Sequence, residues 1–412
     1  MAAAPAIDSR RVLADLRELA RRTGDDSGAQ RVCWTQTWRD ARALLDELLV
    51  EIGLEPDRDE AGNLWARLEG ADPTAPALAV GSHLDSVPDG GWLDGALGVI
   101  AAAGVLRAWS ACDEPPPRPL LLVDWADEEG ARFGRSLFGS SAFSGSFDPA
   151  DLATVGDADG RLLGDVLAEN GVELGRVGDA AARRDGVGAY LELHIEQGPR
   201  LEAAGLSVAA VDGCAGVERV RLRFVGQAAH AGTTPIESRR DAGLAAAETS
   251  LAVERIAVDR GGVGTTGALA LRPGIPTAIA GEAELSCDLR HRDAAELAAM
   301  LEDVIGAARR AATRRACGLE VEPIWRIEPI RFDPDLVALA GDAAREAGGS
   351  ADPLASGALH DAAELARVLP AAMMFCASAG GLSHTADEDT PEADLIVALD
   401  AFSDLVNRAL AR

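Results

Sequence analysis

The feature that most constrains this chain is a unit that recurs four times, in which a short strand-like run ends in a cluster of polar residues. These runs occupy residues 77–80, 120–123, 190–195 and 371–375, and histidine or acidic residues lie at or just after their ends. Short apolar runs bounded by turn residues are typical of buried strands. Open α/β sheets place their sites at the carboxyl ends of such strands, so the pattern predicts a mostly parallel sheet with one functional edge.

The length of the chain predicts two domains, because 412 residues exceed what one hydrophobic core usually supports. From Asp212 onward, the pattern changes to alternating strands and helices in the approximate order β-α-β-β-α-β, which is typical of a ferredoxin-like α+β unit. We therefore predict a discontinuous α/β domain at residues 1–212 and 331–412, with an inserted α+β domain at 213–330.

The charge of the chain argues against two classes of partner. A formal net charge of −28 disfavours nucleic acids and anionic membranes, which require a basic surface. No apolar run approaches the roughly 18 residues of a membrane span, and no secretory signal precedes the first helix. The six cysteines are scattered without CxxC pairs, which predicts reduced thiols and a cytoplasmic location.

The histidines provide the strongest indication of chemistry. Three of the six, His83, His194 and His384, lie at or just after strand ends, and Asp94 and the Glu128–Glu129 pair occupy the remaining clusters. A solvated acidic loop is the alternative for any one cluster, but chance would not distribute histidines in this way. Mixed nitrogen and oxygen ligands suit divalent zinc, manganese, cobalt or nickel. Each of two ions could take a histidine and a carboxylate, with Asp94 bridging them.

The adjacent glutamates allow a division of labour. Consecutive side chains cannot point the same way, so one of Glu128 and Glu129 can bind metal while the other moves protons. Asp85 follows His83 closely enough to fix the tautomer of its imidazole ring. Two metals held in this way would activate a shared water molecule, which predicts a hydrolase.

Six motifs then carry a family resemblance over roughly residues 8 to 410. They are GSHLDSVPDGGWLDGALGV, DEEGARFGRSLFGSSAFSG, LELHIEQGPRLE, GQAAHAGTTPIESRRDA, SGALHDA and GLSHTADE. In this order they resemble the amidase/hydantoinase/carbamoylase group of the dinuclear metallopeptidase clan. The resemblance implies a catalytic domain of zinc-exopeptidase type and an inserted domain that acts as a lid and joins two subunits in a homodimer.

The resemblance also implies roles for individual residues. His83 and His194 would bind one metal, Glu129 and His384 the other, and Asp94 would bridge them. Glu128 would be the general base. His230, in the GQAAHAGTTP motif, would reach the oxyanion from the partner subunit's lid; a solvated loop histidine is the alternative for this position.

Further residues resemble the substrate contacts of the group. Arg290, in DLRH, resembles the arginine that clamps the substrate carboxylate, for which a planar guanidinium is suited. Gln197, Gly357 and His360 resemble the other contacts, although a structural role for His360 is as plausible. Thr277 departs from the group, which has asparagine at this substrate contact, so we expect hydrolysis to be retained on an altered substrate.

These observations predict a metal-dependent amidohydrolase that cleaves the carbamoyl C–N bond of N-carbamoyl-L-amino acids. The small-molecule substrate would be a ureido or amide compound that carries a carboxylate. Allantoate amidohydrolase is the nearest alternative, because it needs the same machinery with a different pocket. An aminoacylase or dipeptidase is disfavoured by LHIEQGP, and a non-catalytic binding protein by the intact set of ligands.

Overall fold

The computed structural model describes residues 4–146 and 149–412. The chain divides into two compact units, of which one combines Met1–Asp212 with Arg331–Arg412 and the other is Gly213–Ile330. Residues 1–3 and 147–148, which fall within the first predicted domain, lie outside the described residues. Each unit is described by itself below.

The helices and strands follow one another in a mixed α/β order. The helices are α1 (Ser9–Thr23), α2 (Gln36–Glu51), α3 (Ala96–Ser110), α4 (Phe138–Ser144), α5 (Leu163–Glu169), α6 (Arg200–Ala204), α7 (Ala242–Arg260), α8 (Ala294–Arg314), α9 (Pro334–Glu346), α10 (Asp361–Leu365) and α11 (Glu392–Leu410). The strands are β1 (Gly24–Asp25), β2 (Gly28–Ala29), β3 (Asp57–Arg58), β4 (Leu64–Leu68), β5 (Ala77–His83), β6 (Leu120–Trp125), β7 (Val187–Ile195), β8 (Val208–Cys214), β9 (Gly216–Val225), β10 (Ala229–His230), β11 (Val263–Arg272), β12 (Ala278–Ile279), β13 (Glu282–His291), β14 (Gly318–Ile327), β15 (Ile330–Arg331), β16 (Ser350–Ser356) and β17 (Ala371–Cys376).

Nine strands form the central sheet in the order β15-β8-β17-β7-β5-β6-β4-β3, with β16 beside β8. The four middle strands, β17, β7, β5 and β6, are parallel, and antiparallel pairs flank them on both sides. The predicted mixed α/β fold with a mostly parallel central sheet is therefore confirmed. The parallel strands are buried along nearly their whole length, which explains their continuous apolar sequences.

The register of the parallel strands brings the predicted polar clusters to one edge of the sheet. His83 pairs with Trp125 at the ends of β5 and β6, and Phe375 pairs with His194 near the ends of β17 and β7. Because all four strands run in the same direction, the residues that follow them emerge side by side. The edge of the sheet therefore presents these residues as a group.

Helix α3 packs closely against this sheet because two small residues face it. A side chain at Gly98 would lie 2.4 Å from the carbonyl oxygen of Leu193, and one at Gly95, where φ is 63°, would lie 2.4 Å from the His83 ring. Only glycine fits both positions without displacing the strand or the imidazole. The start of α3 is thereby held directly behind the end of β5.

The second unit contains a four-stranded antiparallel sheet in the order β11-β13-β9-β14, with α7 and α8 packed on one face. Its elements follow the order β-α-β-β-α-β apart from the two-residue strands β10 and β12. Alternation along β9 explains its two faces, because Leu222 and Phe224 are buried while Arg221 and Arg223 form ion pairs on the other face.

The strands of the first unit that the sequence did not predict include β8 and β16. Strand β8 pairs antiparallel with β17, and β16 pairs with β8. Strand β16 contains Asp352 and Pro353 and is largely exposed, so it lacks the apolar pattern by which buried strands are predicted. Within the described ranges, no helix has both the length and the apolar character needed to cross a membrane.

Candidate metal centre

Two imidazoles at the ends of β5 and β7 face one carboxylate. His83 Nδ1 lies 3.0 Å from the carbonyl oxygen of Asp85, and His194 Nδ1 lies 3.0 Å from that of Ile195. Because a carbonyl oxygen only accepts hydrogen bonds, each Nδ1 donates, and each Nε2 is directed to other partners. His194 Nε2 lies 3.2 Å and His83 Nε2 3.6 Å from Asp94 Oδ1.

A second group forms on the other oxygen of the same carboxylate. His384 Nε2 lies 3.4 Å from Asp94 Oδ2 and 3.4 Å from Glu129 Oε1. The donor atoms of His83, Asp94 and His194 lie within 4.8 Å of one another, as do those of Asp94, Glu129 and His384. All five residues that were predicted as metal ligands are therefore brought together, with Asp94 common to both groups.

The donor atoms of these two groups fit divalent cations. Both His194 Nε2 and Glu129 Oε1 are buried without a hydrogen-bond partner among the described residues. Leaving buried polar atoms unsatisfied is costly, and a cation between them would remove that cost. Three nitrogen and several carboxylate donors form the ligand set that zinc, manganese, cobalt and nickel accept.

The pKa values of the candidate ligands also indicate a cation site around Asp94. Burial lowers the pKa of His83 to about 4, whereas at His194 the Asp94 carboxylate outweighs burial and raises the pKa to about 9. A hydrogen bond to Asp94 raises the pKa of His384 to about 9. Burial and the neighbouring Asp94 raise the pKa of Glu129 to about 8. The Asp94 carboxylate thus favours positive charge beside it, which divalent cations would supply when bound.

The paired glutamates after β6 are held by the side chain of Asp85. Its carboxylate accepts hydrogen bonds from the backbone N–H groups of Glu128 (3.2 Å) and Glu129 (3.1 Å). The same residue also contacts the His83 ring, because His83 Nδ1 lies 3.0 Å from the carbonyl oxygen of Asp85 and 3.6 Å from its Oδ1. Asp127, just before the pair, has φ of 57°, which lies in the left-handed region that non-glycine residues adopt infrequently.

Glu128 lies beside the two groups. Its Oε2 is 3.9 Å from His83 Nε2, and the side chain is buried. Burial raises the pKa of Glu128 well above its usual range, and the carboxylates of Asp361 and Glu129 add to this effect. A buried carboxylate that binds protons readily is suited to general base chemistry.

Glu388 and Asp124 support the site, although the sequence did not identify them. Glu388 Oε1 accepts hydrogen bonds from the backbone N–H groups of Leu93 and Asp94, both at 3.0 Å. Asp124 accepts one from the backbone of Leu84 (2.8 Å) and pairs with buried Arg42 (2.7 Å). Both carboxylates belonged to recognised polar clusters, but their partners are remote in sequence and left no local signal.

The predicted substrate contacts in the first unit have different surroundings. Gln197 Nε2 donates to Asp94 Oδ2 at 2.8 Å, so this side chain contacts a predicted metal ligand. The His360 ring is buried, with its centroid 4.5 Å from that of His194 and its Nε2 2.9 Å from Ser356 Oγ. Gly357 is exposed in the turn before α10, with open space where a side chain would lie.

A third group of possible ligands comprises Glu192, His194 and His360. The Glu192 carboxylate already accepts hydrogen bonds from Ser82 Oγ (2.7 Å) and the backbone N–H of Ala362 (2.9 Å). Its oxygens are therefore satisfied by the protein. We assign this group to the support of His194 and not to a further metal.

Three predicted residues lie in the second unit. His230 Nδ1 accepts a hydrogen bond from the backbone N–H of Gly232 (3.1 Å). The short ribbon of β10 and β12 places His230 opposite Ala278, and the carbonyl oxygen of Thr277 accepts from the backbone of Ala231. His230 and Thr277 therefore lie in one small substructure.

Arg290 lies on the face of the sheet that the helices leave uncovered. Its Nε donates to Asp288 Oδ1 at 2.8 Å, and the same carboxylate accepts from Arg219 Nε at 2.6 Å. Asp288 thereby fixes the direction of the Arg290 guanidinium along β13.

The chain is similar to a known family of peptidases, to amidohydrolases and to a solved amidase structure. The model of the peptidase family M20/M25/M40 matches residues 79–408. An N-carbamoyl-L-amino-acid amidohydrolase of Rhizobium meliloti is 34% identical over 390 residues, with 93% of each chain covered. An allantoate amidohydrolase of Bacillus subtilis is 33% identical, with 92% of each chain covered. A crystal structure from Burkholderia multivorans, described as an amidase of the hydantoinase/carbamoylase family, has a TM-score of 0.91 at 31% identity and covers 100% of both chains.

Proposed function

The chain belongs to the peptidase family M20/M25/M40, and from that premise we propose that it hydrolyses the carbamoyl C–N bond of N-carbamoyl-L-amino acids. The products are the amino acid, ammonia and carbon dioxide. The observation that carries this proposal is the pair of donor groups that share Asp94 beside the buried carboxylate of Glu128. The name of the relative from Rhizobium meliloti supports the choice of substrate.

Each donor group would hold one divalent cation. We assign His83 and His194 to one, Glu129 and His384 to the other, and Asp94 to both. When bound, the two cations lower the pKa of a water molecule and polarise the carbonyl group under attack. Gln197 and Ser383, which hydrogen-bond to Asp94 Oδ2 at 2.8 and 2.7 Å, hold that carboxylate in place.

Glu128 moves the proton in this reaction. It accepts a proton from the attacking water as the new C–O bond forms, and it returns that proton to the leaving nitrogen as the C–N bond breaks. Burial favours both steps, because it makes the carboxylate a stronger base and keeps bulk water from exchanging the proton.

His230 stabilises the charge that develops on the carbonyl oxygen. Because Nδ1 of its ring accepts from the backbone of Gly232, a neutral ring carries its hydrogen on Nε2. The ring is thereby prepared to donate a hydrogen bond to an oxyanion. We assign this role to the His230 of a partner subunit, with Gly213–Ile330 acting as a lid.

Arg290 binds the carboxylate of the substrate, and we assign Thr277, Gly357 and His360 as further substrate contacts. The variant Arg290→Lys keeps the positive charge but loses the planar guanidinium group that can donate two parallel hydrogen bonds. We therefore expect KM to rise roughly 10- to 100-fold, with a smaller change in kcat. Steady-state kinetics on N-carbamoyl-L-methionine measure both constants. Arg292→Lys, at an exposed position two residues further along, is the control. A KM unchanged by Arg290→Lys would contradict the assignment.

The second unit joins two copies of the chain into a homodimer. Leu244, Leu251 and Val258 recur every seven residues along α7 and are exposed, the last two to 70% and 73%. Edge strand β11 next to α7 also exposes Leu269 and Leu271. A stripe of this kind on one helix is typical of a surface that a second copy covers.

Charge introduced into this stripe should separate the subunits. We expect the double variant Leu251→Arg with Val258→Arg to be monomeric in size-exclusion chromatography with light scattering, whereas the unmodified protein is a dimer. Activity should fall together with the dimer, because His230 acts across the interface. Val50→Arg, at an exposed position on α2 in the first unit, is the matched control. A double variant that remains dimeric would exclude this surface.

We also propose that the enzyme acts in the cytoplasm. Cys33, Cys287 and Cys376 are buried and have free thiols. Free thiols in a chain of this size are typical of a reducing compartment.

The decisive experiment compares three substrates. Ammonia release from N-carbamoyl-L-methionine, N-carbamoyl-β-alanine and allantoate is measured side by side with the metal-loaded protein. We expect the first to have the highest kcat/KM. Allantoate as the best substrate would establish the second candidate, which the relative from Bacillus subtilis and the replacement at Thr277 favour. No turnover of any of the three would contradict the proposal.

A further inference from the structure

The loop between β5 and α3, residues 84–95, follows His83 and contains Asp94. It lies against an N-terminal segment, residues 29–31. The backbones of Ala29 and Gly90 exchange two hydrogen bonds, at 2.8 and 3.2 Å. The backbone N–H of Arg31 donates to Ser86 Oγ (3.1 Å), and its carbonyl accepts from the backbone of Ser86 (3.1 Å). This segment therefore follows the loop along most of its length.

The side chain of Arg31 extends beneath the loop and is fully buried, with 0% of its surface exposed. Its Nε donates to the carbonyl oxygen of Leu84 at 2.8 Å, and its Nη2 lies 3.4 Å from that of Gly91. Leu84 directly follows His83, and Gly91 lies three residues before Asp94. One rigid guanidinium therefore links the two ends of the loop.

Burial of the Arg31 guanidinium has a free-energy cost that other interactions must offset. Nη1 makes no hydrogen bond to any residue that the structure describes, and burial of such a group is costly. Burial lowers the pKa of Arg31, and the surrounding carboxylates, with Glu388 and Asp94 foremost, oppose that shift. The arginine is thus retained by the acidic residues of the candidate metal centre.

Glu388 holds the same loop from a second side. It accepts from the backbones of Leu93 and Asp94, and a side chain at Gly91 would lie 1.9 Å from its carboxyl carbon. The end of the loop is therefore enclosed between the carboxylate of Glu388 and the guanidinium of Arg31. This arrangement leaves Asp94 little freedom to move away from His83.

We propose that Arg31 is a positioning residue for metal binding, which holds His83 and Asp94 at the separation that a shared cation requires. The inference rests on the proposed function, because it takes the two donor groups as the metal site. The positive charge of Arg31 by itself repels a cation, so a role in positioning and a role through charge alone have opposite consequences for affinity. Removing the side chain weakens metal binding in the first case and strengthens it in the second.

The experiment compares Arg31→Lys, which keeps the charge but cannot link both carbonyl groups, with Arg31→Met, which loses both. Gln30→Ala is the matched control, because Gln30 contacts the exposed tip of the same loop through Asp89. Titration of metal-free protein with Mn²⁺ in a calorimeter gives the Kd, and hydrogen exchange reports on residues 84–94.

We expect both Arg31 variants to bind Mn²⁺ at least about 10-fold more weakly, as found for residues that orient metal ligands, and to exchange faster in the loop alone. Gln30→Ala should match the unmodified protein. Unchanged affinity in Arg31→Lys, or tighter binding in Arg31→Met, would overturn the proposal. If Arg31→Met does not fold, Arg31→Lys decides the matter. If the unmodified protein binds no Mn²⁺, the proposed function is overturned together with this inference. If the unmodified protein binds Mn²⁺ and the Arg31 variants bind it equally well, the inference about Arg31 alone fails.

Discussion

Glu128→Gln should lower kcat by roughly 10²- to 10⁴-fold while the protein keeps its full complement of metal. The amide has almost the same shape as the carboxylate, but it cannot accept a proton from water at neutral pH. Metal binding should persist, because Glu128 belongs to neither of the two donor groups that contain Asp94. Steady-state kinetics and elemental analysis of the same preparation measure the two quantities.

The adjacent residue is the matched control for this change. Glu129→Gln alters a residue of the same size one position along the chain, but it weakens a predicted metal ligand, so we expect metal content to fall with activity. The two variants should therefore separate proton transfer from metal binding. Wild-type turnover in Glu128→Gln with metal bound would show that another group acts as the base.

Asp94→Asn should remove metal from the site more completely than any other single change. Asp94 is the residue common to both donor groups, with Oδ1 near His194 and Oδ2 near His384. Neutralising it removes a charge that both cations use. We expect affinity to fall at least about 100-fold, beyond the usual effect of residues that only orient ligands, and turnover to fall with it.

Asp89→Asn is the control for Asp94→Asn, because Asp89 lies in the same loop but is exposed and contacts only the Gln30 side chain among the hydrogen bonds described. It should leave both metal content and activity unchanged. Calorimetric titration with Mn²⁺ and elemental analysis measure the loss. Two equivalents of metal bound tightly by Asp94→Asn would contradict the assignment of a shared ligand.

Local pattern was sufficient for the central strands. The runs at 77–80, 120–123, 190–195 and 371–375 fall within β5, β6, β7 and β17, because strands buried on both faces must be apolar along their length. The sequence also placed His83, His194 and His384 at the ends of strands or after them. Parallel neighbours then bring those ends to one edge, which is why the ligand set could be predicted before any coordinates.

Contacts between remote parts of the chain left no such pattern. Glu388 and Asp94 are 294 residues apart in the sequence, and Arg31 and Leu84 are 53 apart, yet in each pair a side chain of one residue is hydrogen-bonded to the backbone of the other. An acidic residue in a polar loop has the same local appearance whether it binds metal, supports a ligand or faces solvent. Its surroundings alone distinguish these cases.

By itself, therefore, the sequence determined the α/β fold with a mostly parallel sheet, the family, and the residues that gather at the edge of the sheet. The spacing of apolar residues decides which segments are buried, and that spacing is written along the chain. The tertiary structure decided that Asp85 holds the glutamates, that Glu388 holds the backbone of Asp94, and that Arg31 spans the loop. Those features depend on the register and direction of side chains from distant segments, which become defined only when the segments pack together.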